Sequence, residues 1–417
     1  MSSVRMPEDI SMLTHQSLSG KKLILGVTGS SSIYRSIDLA RRLIRLGASI
    51  KVLMTRFAAK LISPDLFHWA TGSKPYVEMS GETEHIDLAK WADALIIAPS
   101  TLNTMSKIAH GIGDELLPLT AIAMLGDGKK VVIVPAMNIR LFRSPQYSRA
   151  VKLLNEQGAV VIPPFIEEDK AKYPPLNDLV HCIDAVVNRG IDLENTRMLV
   201  TAGPTREYID PVRVITNPSS GLMGILVARE MACRGAIVDL VHGSVNVELP
   251  YMVRKHSVDT TEDMAERVRE LSSNTIYDAA VFAAAPADYR PVNYLKTKIS
   301  TRDKPSMIIE LQRTPKVIKN LVNRPKVLVA FAAETASGTE LVERAMKKYS
   351  DYAVDMIIAN NVLGEHVGFS KALLDAIVIA DDKVISKGVF TKHEVARIIV
   401  DYIANRVKGE VKRKDLS

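Results

Sequence analysis

The chain has 417 residues, 47% hydrophobic and 24% charged, a balance that excludes a disordered chain and a single small core and suits two soluble globular domains. Lys+Arg 54 against Asp+Glu 47 leave a charge of +7, but the basic residues are scattered except over 408–414. Nucleic-acid binding is therefore not expected, whereas small phosphorylated ligands suit a mild positive excess.

No apolar run approaches the ~20 residues that span a bilayer. Residues 1–20 lack the apolar centre of a secretory signal and read as a flexible extension. A cytoplasmic protein with no membrane contact is expected. Cys182 and Cys233 each fall inside a helical apolar pattern, so neither a disulfide nor a zinc site is expected.

Strands are predicted over 23–28, 50–54, 94–98, 131–134 and 160–162, with helices between them. Over 33–46, for example, Ile37, Ala40, Leu43 and Ile44 share one face. The stretch 163–175 is rich in proline and charge, and a helical pattern follows over 176–187. A second series restarts at 197–201 and continues through 237–241, 279–284, 327–330 and 355–359 to a hairpin over 376–385. The class is α/β, with two consecutive doubly wound, Rossmann-like domains: 21–190, and 191–417.

In the first half, GVTGSSSI over 26–33 is a tight turn into a helix, whose free N–H groups and hydroxyls suit a phosphate. It lacks the GxGxxG spacing and the later acidic residue of a dinucleotide site. IAPSTLNT over 97–104 and VPAMN over 134–138 end two further strands in polar loops, at the edge where ligands of open α/β sheets bind. Together with HIDLAKWAD over 85–93, these segments resemble the flavin-dependent cysteine decarboxylases, from about residue 21 to 190.

That resemblance implies a flavodoxin-like flavoprotein domain holding FMN through Gly29, Ser30, Thr55, Ser100, Thr101 and Asn103. It implies His85 as catalytic base and Asn138 as the group that binds the substrate carboxylate. The chemistry requires a cofactor, because an unactivated carboxylate leaves as carbon dioxide only once an electron sink exists. The sequence departs from the family at the flap, where the bacterial members carry a cysteine as proton donor and this chain has EEDKAKYPP over 167–175. Tyr173 and Lys172 are the alternatives there, while Cys182 reads as core.

In the second half, TAGPTRE over 201–207 leads into DPVRVITNPSSGLMG over 210–224. Ser219 and Ser220 suit a helix cap facing an anion, and Gly221 and Gly224 suit close approach of backbone or ligand. AAAPADYR over 283–290, TPKVI over 314–318, FAAET over 331–335 and the lysines 347 and 348 follow. This set resembles phosphopantothenoylcysteine synthetase over about 195–406.

The resemblance implies that Asn217 holds an acyl-nucleotide intermediate, Arg213 and Ala284 line its site with Ser219, Ser220 and Gly221, and Lys296 assists nucleotide transfer. Asp288, Lys298, Pro315, Lys316, Val317, Ile318, Phe331 and Lys348 match nucleotide-binding positions, while Tyr352 stands where the family often has a second lysine. Making a carboxylate reactive toward an amine needs such groups, with Mg²⁺ and lysines neutralising the departing pyrophosphate. No metal-ligating residues stand out.

The two halves together resemble the bifunctional coenzyme A biosynthesis family. The resemblance implies ligation of 4′-phosphopantothenate with cysteine, using CTP or ATP, then decarboxylation to 4′-phosphopantetheine. It also implies a homo-oligomer with trimeric first and dimeric second domains. The alternative is a ligase whose first domain is a flavin-binding scaffold or an incomplete decarboxylase. A nicotinamide dehydrogenase is excluded, since neither half carries the dinucleotide fingerprint.

Overall fold

The computed structural model describes residues 16–300, 306–363 and 373–414, with side chains up to 408. These residues fall into two compact units that part between Ile191 and Asp192.

The first unit is built on β1 (Lys22–Val27), β2 (Ser49–Met54), β3 (Ala94–Ser100), β4 (Lys130–Pro135) and β5 (Val160–Val161). All pairings are parallel and the spatial order is β2-β1-β3-β4-β5. That is the flavodoxin-like winding, with its reversal between β1 and β3. Around the sheet lie α1 (Arg35–Arg45), α2 (Glu84–Trp91), α3 (Leu102–Ala109), α4 (Leu116–Gly126), α5 (Pro145–Glu156) and α6 (Leu176–Arg189). Strand β3 is buried along its whole length, because helices on both faces leave it no polar side.

Residues 16–20 correct part of the expected extension. Leu18 is buried, its N–H donates to Leu46 O at 2.9 Å, and Asn188 Nδ2 donates to Ser17 O at 3.2 Å, so this segment is tied to the unit. Residues 1–15 lie outside the described residues. The segment 163–175 is not an irregular linker either. Phe165–Glu167 and Lys170–Lys172 pair antiparallel, and Lys170–Lys172 also pairs with Met137–Asn138. Glu168 and Asp169, both at positive φ, form the two-residue turn; Asp tolerates that geometry, whereas Glu is an uncommon occupant of it.

In the second unit, β6 (Arg197–Ala202), β7 (Ile237–His242), β8 (Arg254–Ser257), β9 (Ala279–Phe282), β10 (Val327–Glu334) and β11 (Met356–Asn361) are parallel. The sheet continues antiparallel through β12 (Leu373–Ala380) and β13 (Lys383–Thr391), in the order β8-β7-β6-β9-β10-β11-β12-β13. The parallel part has the Rossmann winding, reversing between β6 and β9. Met198, Val200 and Ala202 pack toward α7 (Leu222–Cys233) and α10 (Lys392–Lys414). Leu199 packs toward α8 (Thr261–Asn274) and α9 (Gly338–Asp351), in the pleat-alternating fashion of a sheet covered on both sides.

Neither cysteine is a free thiol, which corrects the expectation of two reduced side chains. Among the described residues, no helix is long and apolar enough to cross a membrane.

One buried charge organises the end of α7. Arg234, 1% exposed, donates to both oxygens of Asp192 at 2.7 Å and to Asp401 at 2.6 Å, joining the start of the unit to α10. Removing one member of a buried ion cluster strands the others without compensation. Arg234→Met should therefore destabilise this unit by about 3 kcal/mol in denaturant unfolding. A loss below about 1 kcal/mol would mean the acids find other partners.

Candidate functional site

In the second unit, a cavity of 260 Å³ opens at the winding reversal. Its floor is sewn together by side chains that consume backbone polar groups. Thr201 Oγ1 accepts from Ala284 N at 3.2 Å, and Thr205 Oγ1 accepts from Ala287 N at 2.9 Å. Asn217 Nδ2 donates to Ala285 O and Pro286 O at 3.2 and 3.0 Å, and Thr314 Oγ1 donates to Ala287 O at 2.6 Å. The loop after β9 is thereby held open beside the β6 end.

Glycines are required where helix α7 enters. Gly221 has φ +77, and a Cβ on Gly224 would lie 2.6 Å from Thr201 O and 2.7 Å from Ala202 Cβ. Both neighbours belong to β6 and cannot yield. Ser219 and Ser220 do not cap α7 as expected: their hydroxyls accept from Gly221 N and Leu222 N, two residues on, and Gly221 occupies the cap position. Short hydroxyls favour such local turns over a cap when a left-handed glycine already sets the helix entry.

The cavity gathers most of the residues selected from sequence: Asn217, Ser219, Gly221, Ala284, Asp288, Pro315, Lys316, Val317, Ile318, Phe331 and Lys348 all line it. Its cations are ion-paired, Lys316 with Asp288 at 2.6 Å and Lys348 with Glu334 at 2.6 Å. Lys316 loses affinity for its proton through burial and regains more from Asp288, so its pKa lies above the ordinary lysine value. Tyr352, Asn360 and Lys392 also line the cavity; sequence reading noted Tyr352 only as a substitution and missed Lys392, which is separated from the motifs by a hairpin.

Arg213, Ser220, Lys296 and Lys298 do not line it, contrary to expectation. For Arg213, Lys296 and Lys298 the reason is Asp210, a buried carboxylate that collects their segments. It accepts from Val212 N and Arg213 N at 2.8 Å and from Ile299 N at 3.1 Å, and it pairs with the Arg213 guanidinium. The 292–300 strip is drawn to this carboxylate, and Leu295 N also donates to Ile209 O at 3.1 Å.

A wider groove of 1010 Å³ lies over the ends of β7 and β8. Its Arg267 and Arg269 face the walls alongside Asp263, Glu266 and Glu270, and ion pairs among them, such as Arg267 with Glu270 at 2.7 Å, compensate the charge. The smaller cavity is the stronger candidate site, because its polar groups converge at the reversal.

In the first unit the corresponding reversal is closed by Thr28. Its hydroxyl donates to Pro99 O at 2.8 Å and accepts from Thr101 N at 3.0 Å, tying the β1 end to the β3 end. Ser30 Oγ donates to Ala136 O at 3.2 Å, and Ser36 Oγ donates to Ala98 O at 2.7 Å. Thr55 and Thr101 cap helices, accepting from Ala58 N and Thr104 N. Asn103 is exposed on α3. Gly29, Ser30, Thr55, Ser100 and Thr101 thus meet at one edge.

His85 is half-buried on the first turn of α2, whose antiparallel course against β3 turns that end toward the same edge. Asn138 sits on the strand that receives the 165–172 hairpin, with Oδ1 accepting from Arg140 N at 2.9 Å.

A family model described as "Flavoprotein" matches residues 11–188, and one described as "DNA/pantothenate metabolism flavoprotein C-terminal domain" matches 193–407. The coenzyme A biosynthesis bifunctional protein CoaBC of Thermococcus kodakarensis is 35% identical over 394 residues, 93% of this chain and 95% of the relative. The CoaBC proteins of Methanocaldococcus jannaschii and Bacillus subtilis are 32% identical over 405 residues and 33% identical over 370 residues. They cover 95% and 84% of this chain and are themselves covered over 95% and 88%.

The chain belongs to the coenzyme A biosynthesis bifunctional protein family.

Members of this family carry a flavin, and the first unit's edge fits one. Ser100 Oγ is buried without a hydrogen-bond partner, an expensive state unless a ligand supplies one. At the β1 end, a Cβ on Gly29 would lie 2.2 Å from the Phe57 ring, so glycine lets that ring rest against the turn. The turn leads into α1, where backbone N–H groups suit a phosphate.

The Asp210 node gives a pH signature. Burial raises its pKa, but the three backbone N–H donors and Arg213 more than offset this and hold the carboxyl well below the ordinary value. A depressed folded pKa contributes stability above the unfolded pKa, about 3.9, and loses it as pH falls through the folded value. The stability difference between the wild type and Asp210→Asn should therefore stay constant from pH 7 to about 4 and shrink only below that. Denaturant unfolding across pH checks it; a difference that shrinks near pH 6 would contradict it.

Proposed function

We propose that the chain carries out two consecutive steps of coenzyme A biosynthesis: CTP-dependent ligation of 4′-phosphopantothenate with cysteine in the second unit, and FMN-dependent decarboxylation of the product to 4′-phosphopantetheine in the first. The observation that carries the ligase reading is the convergence of Asn217, Ala284, Asp288, Phe331 and Lys348 on one cavity at the winding reversal. In this reading, Lys316 and Lys348 exchange their carboxylate partners for nucleotide phosphates, which Mg²⁺ accompanies. Asn217, fixed by its two donated hydrogen bonds, presents its carbonyl end to the acyl-nucleotide. Arg213, Lys296 and Lys298 join the site when the 292–300 strip swings from Asp210 over bound nucleotide, which gives those residues a role in closure.

In the first unit, FMN supplies the electron sink. Ser30 and the α1 entrance hold its phosphate, Ser100 and Thr101 hold its polar edge, Asn138 orients the substrate carboxylate, and His85 accepts the thiol proton. The cytoplasm is the compartment this reading implies. First units assembled as trimers and second units as dimers would cover the apolar side chains left exposed at Tyr34, Phe57 and Trp69, and at Val212, Tyr289 and Tyr294. A second reading, a ligase whose first unit stops short of 4′-phosphopantetheine, is favoured by the lack of a free cysteine to act as a proton donor among the described residues.

Incubation of the purified chain with 4′-phosphopantothenate, cysteine, Mg²⁺ and CTP or ATP, followed by mass spectrometry, separates these readings. The expected product is 4′-phosphopantetheine, formed faster with CTP. Accumulation of 4′-phosphopantothenoylcysteine would support the second reading, and neither product from a flavin-loaded chain would contradict both.

A further inference from the structure

We propose that Lys170, on the hairpin that pairs with the Asn138 strand, is the group that protonates the substrate carbon after carboxylate loss. This rests on the decarboxylase reading of the first unit.

The chemistry fixes what is needed. Two electrons pass from the cysteine's sulfur-bearing carbon to the flavin, giving a thioaldehyde. The bond to the carboxylate then breaks, and its electron pair moves into the carbon–carbon–sulfur unit as an enethiolate. To reach the saturated thiol, a proton must add at the carbon that held the carboxylate. The electron pair lent to the flavin then returns with a proton to the sulfur-bearing carbon, and the thiolate remains. If the carbon is not protonated, the unsaturated thiol is released and the flavin stays reduced.

The register places the donor. Asn138 lies directly opposite Lys170, and Lys170 lies directly opposite Glu167 on the other side of its strand. Residues opposite one another share a face of the sheet, with Cβ atoms about 5 Å apart. Lys170 and Lys172 therefore stand on the face of Asn138, whereas Ala171, between them, turns to the buried side. A carboxylate oriented by Asn138 brings its carbon within reach of the Lys170 ammonium, which is exposed and sits on the hairpin rather than in the core.

The other candidates on this segment are excluded by their surroundings. The Tyr173 hydroxyl is buried and without a hydrogen-bond partner, and burial pushes its pKa well above the ordinary phenol value, so it neither reaches a substrate on the Asn138 face nor releases a proton readily. Lys172 is gripped by Glu167 at 2.7 Å and Glu168 at 3.0 Å, and these carboxylates raise its pKa. Cys182 is buried on α6 and is not a free thiol.

The test compares the full chain as wild type, Lys170→Met and Lys170→Arg, given 4′-phosphopantothenoylcysteine. Carbon dioxide, product mass and flavin absorbance are followed, and the resting spectrum of each variant first establishes that it retains oxidised flavin. In a single turnover, with substrate below the flavin concentration, Lys170→Met should release carbon dioxide to within about threefold of wild type, while saturated product falls about 100-fold. The unsaturated thiol should replace it, with the flavin left reduced. Lys170→Arg keeps the charge but holds its proton too tightly to give it up, and should behave as Lys170→Met does.

Saturated product at the wild-type ratio from Lys170→Met would overturn the proposal. So would restoration of saturated product by arginine, which would make the role one of charge alone, or loss of carbon dioxide release in Lys170→Met, which would make Lys170 a binding residue. Absence of carbon dioxide from the wild type would instead overturn the decarboxylase reading itself.

Discussion

Parallel strands covered by helices on both faces leave only one place for chemistry, the carboxyl edge where the winding reverses and two neighbouring loops part. Both units obey that constraint with different means of holding the gap. In the first, Thr28 bonds across to Pro99 and Thr101, so a single hydroxyl sets the distance between the turn before α1 and the loop before α3. In the second, Thr201, Thr205, Asn217 and Thr314 each consume a backbone group of the loop after β9. These hydrogen bonds are modest individually, but each satisfies a backbone group that burial would otherwise leave unpaired.

The two sites differ in how they handle charge. The first presents hydroxyls and a helix entrance in place of paired cations. The second presents lysines already paired with Asp288 and Glu334, so its positive charge is neutralised from within the unit. Asp210 extends this economy to the strip carrying Lys296 and Lys298, which it retains through Ile299.

The winding of both sheets and most of the second cavity were legible in the sequence, because buried parallel strands read as β-branched runs and strand ends as glycine and hydroxyl clusters. TAGPTRE, SSGLMG and AAAPAD fall at the reversal. What was illegible has physical causes. The 165–172 hairpin was hidden by short strands of mixed polarity and by a turn at Glu168–Asp169 that lacks the usual glycine or asparagine. The placement of Lys296 depended on Asp210, a carboxylate far along the chain from Ile299, and no local pattern encodes such a contact. The anchoring of Leu18 was likewise invisible, since one apolar residue among polar ones gives no period. The strands predicted over 376–385 are longer in the structure, as β12 and β13, because the antiparallel ladder extends wherever backbone partners exist.

The central claim is that one chain holds two ligands at two separate reversals, and charge reversal at each tests it most directly. Ser30→Glu sets a carboxylate against the flavin phosphate, and Lys348→Glu sets one against the nucleotide phosphates. The flavin-to-protein ratio and the CTP dissociation constant would be measured on wild type and both variants. The account predicts that Ser30→Glu loses flavin and keeps CTP binding, and that Lys348→Glu does the reverse. Retention of both ligands by both variants would contradict it.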